Sequence, residues 1–190
     1  MQSTYHWKVV PSGIPTIIKN CSKCGKNSVF ESSGNFRINA NQSRIDVWLI
    51  YQCRKCNSTW NMELLSRVHA RSIDKETYHR YLQNDAPLAT EYAFDIATHR
   101  RNKVSLCYDE INYHIIGDPV KSFEGSIAIS LQSDYPLELR LDKLLSQQFG
   151  IPRVTIKRLH EDGRISVSNS SDIKKVQLNR GGQLIKIEFG

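Results

Sequence analysis

Two CxxC pairs, CSKC at 21–24 and CRKC at 53–56, lie 28 residues apart in this chain. Each CxxC turn can aim two thiolates at one point, and two such turns supply the four sulfurs that a tetrahedral zinc accepts. If both turns serve one ion, the chain between them must leave the first and return beside it. The intervening residues read as a hairpin that does this: NFRIN is a short strand, NANQS a turn and RIDVWLIYQ a longer strand. Along the longer strand Ile45, Val47, Leu49 and Tyr51 share one face, and Asp46, Trp48, Ile50 and Gln52 the other. This pattern predicts a zinc ribbon over residues 1–67, with Cys21, Cys24, Cys53 and Cys56 as ligands and Zn2+ as a structural cofactor. All-cysteine sites are closed, whereas catalytic zinc keeps one position open for water.

A fifth cysteine, Cys107, makes the count odd, and the start MQSTYHWKVV has neither a basic n-region nor an apolar h-region. Both features argue against a secreted disulfide framework, and the chain reads as cytoplasmic. The longest apolar run, VWLIY at 47–51, falls far short of the roughly 20 residues that cross a bilayer, so no membrane span is expected.

Charge narrows the class of partner. The net charge of +7 is unevenly spread: residues 1–66 carry 8 basic and 3 acidic side chains, residues 67–136 carry 8 and 10, and residues 137–190 carry 10 and 6. Two basic ends around a slightly acidic middle suit a polyanion better than an even coat would. Lys23, Lys26, Arg54 and Lys55 flank the cysteine turns, with Trp48 and Trp60 nearby. These residues could grip phosphates and stack bases. Equally, the cations could offset the charge of about −2 on a zinc held by four thiolates, and the tryptophans could fill a thin core.

The middle, residues 68–136, reads as a helical and strand connector. Asp74 can cap a helix through DKETYHRYLQN, and Asp85 a second, with Pro87 in its first turn, running through LATEYAFDIATHRR. Strand patterns follow in VSLCY, YHII and SIAISL. His69, His79, His99 and His114 lie here without the spacing of an open metal site, and there is no phosphate loop, GxSxG or dinucleotide fingerprint.

In residues 137–190 Gly150 and Pro152 divide two helical patterns. Leu141, Leu144 and Leu145 face inward on the first, and Ile156 and Leu159 on the second. Arg140 and Lys143 are expected to share the outer face of the first helix; Arg153, Lys157 and His160 line up on the second. Gly163 ends that helix and RISV starts a strand.

Two resemblances add to this reading. The stretch FRINANQSRIDVWLIYQCRKCNSTWN resembles a bacterial family known only as a domain of unknown function, ten-sixty-two, over roughly the first 130 residues. The ordered set of RLDKLL, the G-I-x-R junction, KRLHEDGRISV and the final QLIKIEF resembles the small RNA-binding domain named for the fourth protein of the small ribosomal subunit, here the S-four domain. Pro152 stands where that domain usually has serine, and VSNSSD replaces its Val-Asn-Gly turn. The resemblance implies two helices on a small sheet that bind structured RNA, such as ribosomal or transfer RNA. It places Arg140, Lys143, Arg153 and Lys157, with Arg158 and Arg164, where RNA contacts occur.

The expectation is therefore an α+β protein: zinc ribbon, connector, and S-four-like domain, acting as a non-catalytic binder of structured RNA. A DNA-binding regulator that reads through the ribbon, and an RNA-modifying or other enzyme with an unrecognised site, are the alternatives.

Overall fold

Strict alternation of buried and outward residues along RIDVWLIYQC places this segment inside an antiparallel sheet. The computed structural model describes residues 3–120, 124–179 and 181–189. It is an α+β protein of two units: residues 13–111 form one, and residues up to 12 together with those from 112 onward form the other. These divisions differ from the expected boundaries at 67 and 136. The reason is pairing distant in sequence, because the first strand, β1 (Ser3–Pro11), hydrogen-bonds to strands from the far end of the chain.

The unit of residues 13–111 contains β2 (Thr16–Cys21), β3 (Lys26–Asn41), β4 (Arg44–Cys53), β5 (Thr59–His69) and β6 (Ser105–Cys107). Among the described residues they form one sheet in the order β5-β4-β3-β2-β6. The β3–β4 hairpin is the one expected between the cysteine pairs, extended in both directions. Three helices follow β5 in the chain: α1 (Lys75–Leu82), α2 (Ala86–Phe94) and α3 (Ile96–Arg101). They are part of this unit, not a connector. Tyr81, Leu88 and Ala89 join Val47, Leu49, Tyr51 and Met62 in its apolar cluster. Fully burying a side chain of this size contributes about 1.5–3 kcal/mol. Val47, Leu49, Tyr51 and Met62 are all completely buried, so this face anchors the helices on the sheet.

Asp74 caps α1 through the Thr77 N–H, and Asp85 caps α2 through the Leu88 N–H, as expected. The single helix expected through LATEYAFDIATHRR is instead two. Asp95 takes an extended backbone conformation and accepts from the Ala97 N–H and the Thr98 hydroxyl, so its side chain replaces helical continuity with a fresh N-cap. The new helix carries Asn102 to the free edge of β5. There its amide donates to the Glu63 carbonyl and accepts from the Glu63 N–H, at 2.8 and 2.9 Å. One side chain thus occupies both edge groups that a neighbouring strand would use.

The second unit contains β7 (Tyr113–Gly117), β8 (Gly125–Gln132), β9 (Leu137–Leu139), α4 (Leu141–Phe149), α5 (Arg153–Glu161), β10 (Ile165–Val167), β11 (Val176–Leu178) and β12 (Gln183–Phe189). Its main sheet runs β10-β12-β8-β1-β7, with β1 parallel to β8, and β9 pairs separately with β11. Leu141, Leu144, Leu145 and Phe149 of α4 and Ile156 and Leu159 of α5 are buried, which matches the inward stripes read from sequence. Phe149 packs on Trp7 of β1 and Phe189 of β12, with ring centroids 6.0 and 5.9 Å apart. The break between the helices lies at Gly150, whose left-handed φ of 67° closes α4 at low steric cost.

Candidate metal centre and basic helix face

The four paired cysteines converge at one end of the first sheet. Each turn is closed in the same way: the Gly25 N–H donates to the Cys21 carbonyl at 2.8 Å, and the Asn57 N–H to the Cys53 carbonyl at 2.9 Å. Both closing residues are left-handed, with φ of 67° and 57°, a conformation that glycine and asparagine adopt more readily than other residues. The residue after each CxxC is therefore part of the motif. CxxC-G and CxxC-N were a readable signal that spacing alone did not use.

The four Sγ atoms lie within 4.8 Å of one another. Cys21 and Cys56 Sγ are 3.5 Å apart, and Cys24 and Cys53 Sγ 4.0 Å. A tetrahedron with metal–sulfur bonds of about 2.3 Å has edges of about 3.8 Å, so these separations bracket what one four-coordinate ion needs. Cys21 and Cys53 are buried, and Cys24 and Cys56 partly so. The Ser58 hydroxyl sits 3.3 Å from Cys21 Sγ and 3.0 Å from Cys56 Sγ. Its hydrogen bond, with one from the Cys24 backbone, draws the Cys21 thiol down to about 6, and Ser58 also lowers that of Cys56. Cys24 is pushed up to about 12 by its hydrogen bond with Cys56 and by burial. Cys107, on β6, is not one of this group and lies 3.5 Å from the Asp109 carboxylate.

The cations and aromatics around the turns are partly committed. Arg54 bonds Glu31 and Glu110, so its charge is paired within the unit. Trp60 lies on the core side beside Tyr51, with Lys19 Nζ 4.9 Å from its ring centroid. Trp48 projects from the opposite face of β4, opposite Arg37 in the β3–β4 register. Lys23, Lys26 and Lys55 remain exposed.

On the second unit the predicted contact residues divide into two kinds. Lys143 of α4 and Arg158 of α5 are exposed, and Lys157 of α5 is half-buried. Arg140 is not on the outer face of α4; it is the residue before the helix, in extended conformation. Arg153 begins α5. Both reach one carboxylate that the sequence reading passed over. Asp142 is completely buried and accepts from Arg140 Nε and Nη2 at 3.3 and 3.2 Å, and from Arg153 Nε and Nη2 at 3.2 and 2.7 Å. Burial pushes the Asp142 carboxyl up, but the bonds from Arg153 and Arg140 outweigh it and hold the group below its ordinary value. Asp142 also lies in the first turn of α4, where a negative charge meets the positive end of the helix dipole. Its position as the third residue of RLD, two after Arg140, was the available signal.

Arg164 donates through Nε to the Glu188 carbonyl at 3.0 Å, which ties it to β12. His160 sits with Nδ1 2.9 Å from the Ile165 carbonyl and Nε2 3.1 Å from the Ser171 carbonyl, so it braces the loops after α5 and is not part of an outward row with Arg153 and Lys157. Among the described residues no helix is long and apolar enough to cross a membrane.

No curated protein and no solved structure gives a significant match to this chain. The family model described as "Protein of unknown function (DUF1062)" matches residues 38–171, which starts later than the resemblance read from sequence and continues beyond residue 130 through both α4 and α5. The matched span holds the second cysteine pair, Asp142 and most of the basic helix face, and it covers more than half of the sequence: the chain belongs to the DUF1062 family.

Proposed function

We propose that this protein binds structured RNA without catalysis, through the basic face of α4 and α5, and that a structural zinc held by Cys21, Cys24, Cys53 and Cys56 stabilises its other unit. The observation that carries the reading is the set of cations Lys143 on α4, Arg153, Lys157 and Arg158 on α5 and Arg140 just before α4, with one completely buried counter-charge among the described residues, Asp142, shared by Arg140 and Arg153. The order of helices and strands after residue 137 supports an S-four-like module, as the resemblance of RLDKLL and KRLHEDGRISV implies. Arginine presents a planar fork and lysine a mobile point charge to phosphate oxygens, which fixes orientation without reading bases. Structured RNA recognised by shape and sugar–phosphate contacts suits such a face, and ribosomal or transfer RNA is the class to test first.

Two arginines less one buried aspartate leave one net positive charge, and Lys143, Lys157 and Arg158 bring the face to four. Four phosphate contacts give a log–log salt slope of about −3 to −4, or roughly 60- to 250-fold weaker binding from about 50 to 200 mM salt. Fluorescence anisotropy on a hairpin RNA across that range measures this directly. Lys143→Glu combined with Lys157→Glu, which leaves the Asp142 pairs intact, should abolish the salt-dependent component while the circular dichroism spectrum stays native. A flat salt response of the wild type counts against RNA binding. Equal competition by duplex DNA would favour the regulator reading, and exposed Lys23, Lys26 and Lys55 would then be the cations to replace.

A further inference from the structure

Arg140 and Arg153 do something costly. Two guanidinium groups of like charge are drawn to the same carboxylate oxygen, Asp142 Oδ2, and that carboxylate is completely buried. Burying a charge is unfavourable unless it is paired and hydrogen-bonded, and a single arginine would suffice to pair it. The second arginine leaves the cluster with one unit of positive charge in excess. Both arginines present the same edge to Asp142, Nε with Nη2, and the Nη1 groups have no hydrogen-bond partner among the described residues. Their side chains are 50% and 42% exposed, so the unused edges are open to solvent.

Other contacts fix the anchor itself. The Leu141 and Asp142 N–H groups both donate to the Ile173 carbonyl, at 2.8 and 3.3 Å, which docks the start of α4 on the loop before β11. The Tyr113 hydroxyl is buried without a hydrogen-bond partner among the described residues, and its ionisation is disfavoured by burial and by the Asp142 charge. The unionised Tyr113 hydroxyl adds no competing counter-charge.

We propose that Asp142 is a positioning residue: an internal anion that holds Arg140 and Arg153 side by side as one clamp whose outward N–H groups take a single phosphodiester group of the bound RNA. This rests on the RNA-binding reading and adds the device that orders its two arginines. Without the carboxylate, the guanidinium groups repel each other and each must find its geometry at the moment of binding, which costs side-chain entropy.

The consequence runs against simple electrostatics. Asp142→Asn removes a negative charge from a face that binds a polyanion, so charge alone predicts tighter binding. The clamp predicts weaker binding, by about tenfold or more, the loss of one charge-assisted contact. It also predicts a salt slope shallower by about one, because the number of phosphates engaged falls. Partial unfolding would lower the active fraction and leave that slope unchanged. The test is anisotropy titration of the full chain with a hairpin RNA at several salt concentrations. Asp142→Asn binding as tightly as wild type, or more tightly, overturns the proposal. Should Asp142→Asn fail to fold, Arg140→Lys with Arg153→Lys keeps every charge and removes the forks. That variant is expected to bind about tenfold more weakly at unchanged net charge, and wild-type affinity from it also overturns the clamp. If the wild type itself shows no salt-dependent RNA binding, the RNA reading fails first and the clamp with it, a pattern distinct from either variant result.

Discussion

If the four-cysteine cluster holds the proposed zinc, withdrawing it should loosen the two turns before it loosens the sheet beneath them. Each turn is closed by one backbone hydrogen bond to its first cysteine, at 2.8 and 2.9 Å. Such a bond contributes about 0.5–1.5 kcal/mol net, too little to hold four thiols together against chain entropy. The buried side chains of Val47, Leu49 and Met62, by contrast, owe nothing to the ion. A site that binds metal only when folded gains about 2.7 kcal/mol at free zinc one hundred times the dissociation constant. In a unit the size of residues 13–111, each kcal/mol moves the midpoint by about 4–8 °C, so chelation should lower it by roughly 10–20 °C. Calorimetry with and without a chelator gives that shift, and amide exchange locates it. Exchange should accelerate most in residues 21–26 and 53–59 and least in residues 47–51, which open only with the whole unit. Cys24→Ser in the presence of zinc should reproduce the pattern. If purified protein retains no metal, and chelation alters neither the midpoint nor exchange at the turns, the metal-centre reasoning is wrong.

Asn102→Ala strips the free edge of β5 of its side-chain partner at both Glu63 N–H and carbonyl. The expected cost is about 1–3 kcal/mol, read by urea denaturation, with faster exchange at Glu63 and more self-association in light scattering than wild type; an unaltered edge would show that Asn102 is dispensable there. His99 is 1% exposed, and burial draws its pKa below the ordinary value, partly opposed by the bond to the Asp95 carbonyl. That carbonyl can only accept, so Nδ1 carries the proton and Nε2 accepts from the Tyr51 hydroxyl at 3.2 Å. The unfolded ring gains a proton near 6.5 while the folded ring stays neutral, so this contribution is complete above about pH 6.5 and is lost as pH falls below it. Nitrogen-15 spectra of the His99 ring should show the Nδ1–H tautomer through that range, and an ordinary titration would contradict the assignment.

Local patterns in the sequence carried the parts of the fold that depend on near neighbours. Alternation in β4, the aspartate caps at 74 and 85, and the leucine spacing of α4 each follow from residues within a few positions. The convergence of Cys21, Cys24, Cys53 and Cys56 was legible because four cysteines in two matched turns have few other uses. The parallel pairing of β1 with β8 was not, because alternation in β1 says which face is buried and nothing about which strand lies beside it. Asp95 looked like one more helical residue until its side chain was seen capping a new helix. Asp142 was hidden for a related reason: an aspartate in the first turn of a helix is ordinary, and only folding brings Arg153, eleven residues on, to the same oxygen that Arg140 reaches.

Ultraviolet crosslinking of the full chain to a bound hairpin RNA, with the attachment points mapped by mass spectrometry, tests the central claim most directly. The account predicts crosslinked peptides from residues 140–158, lost in Lys143→Glu with Lys157→Glu. Crosslinks confined to the cysteine turns around Lys23, Lys26 and Lys55, and unchanged by that double substitution, would contradict it.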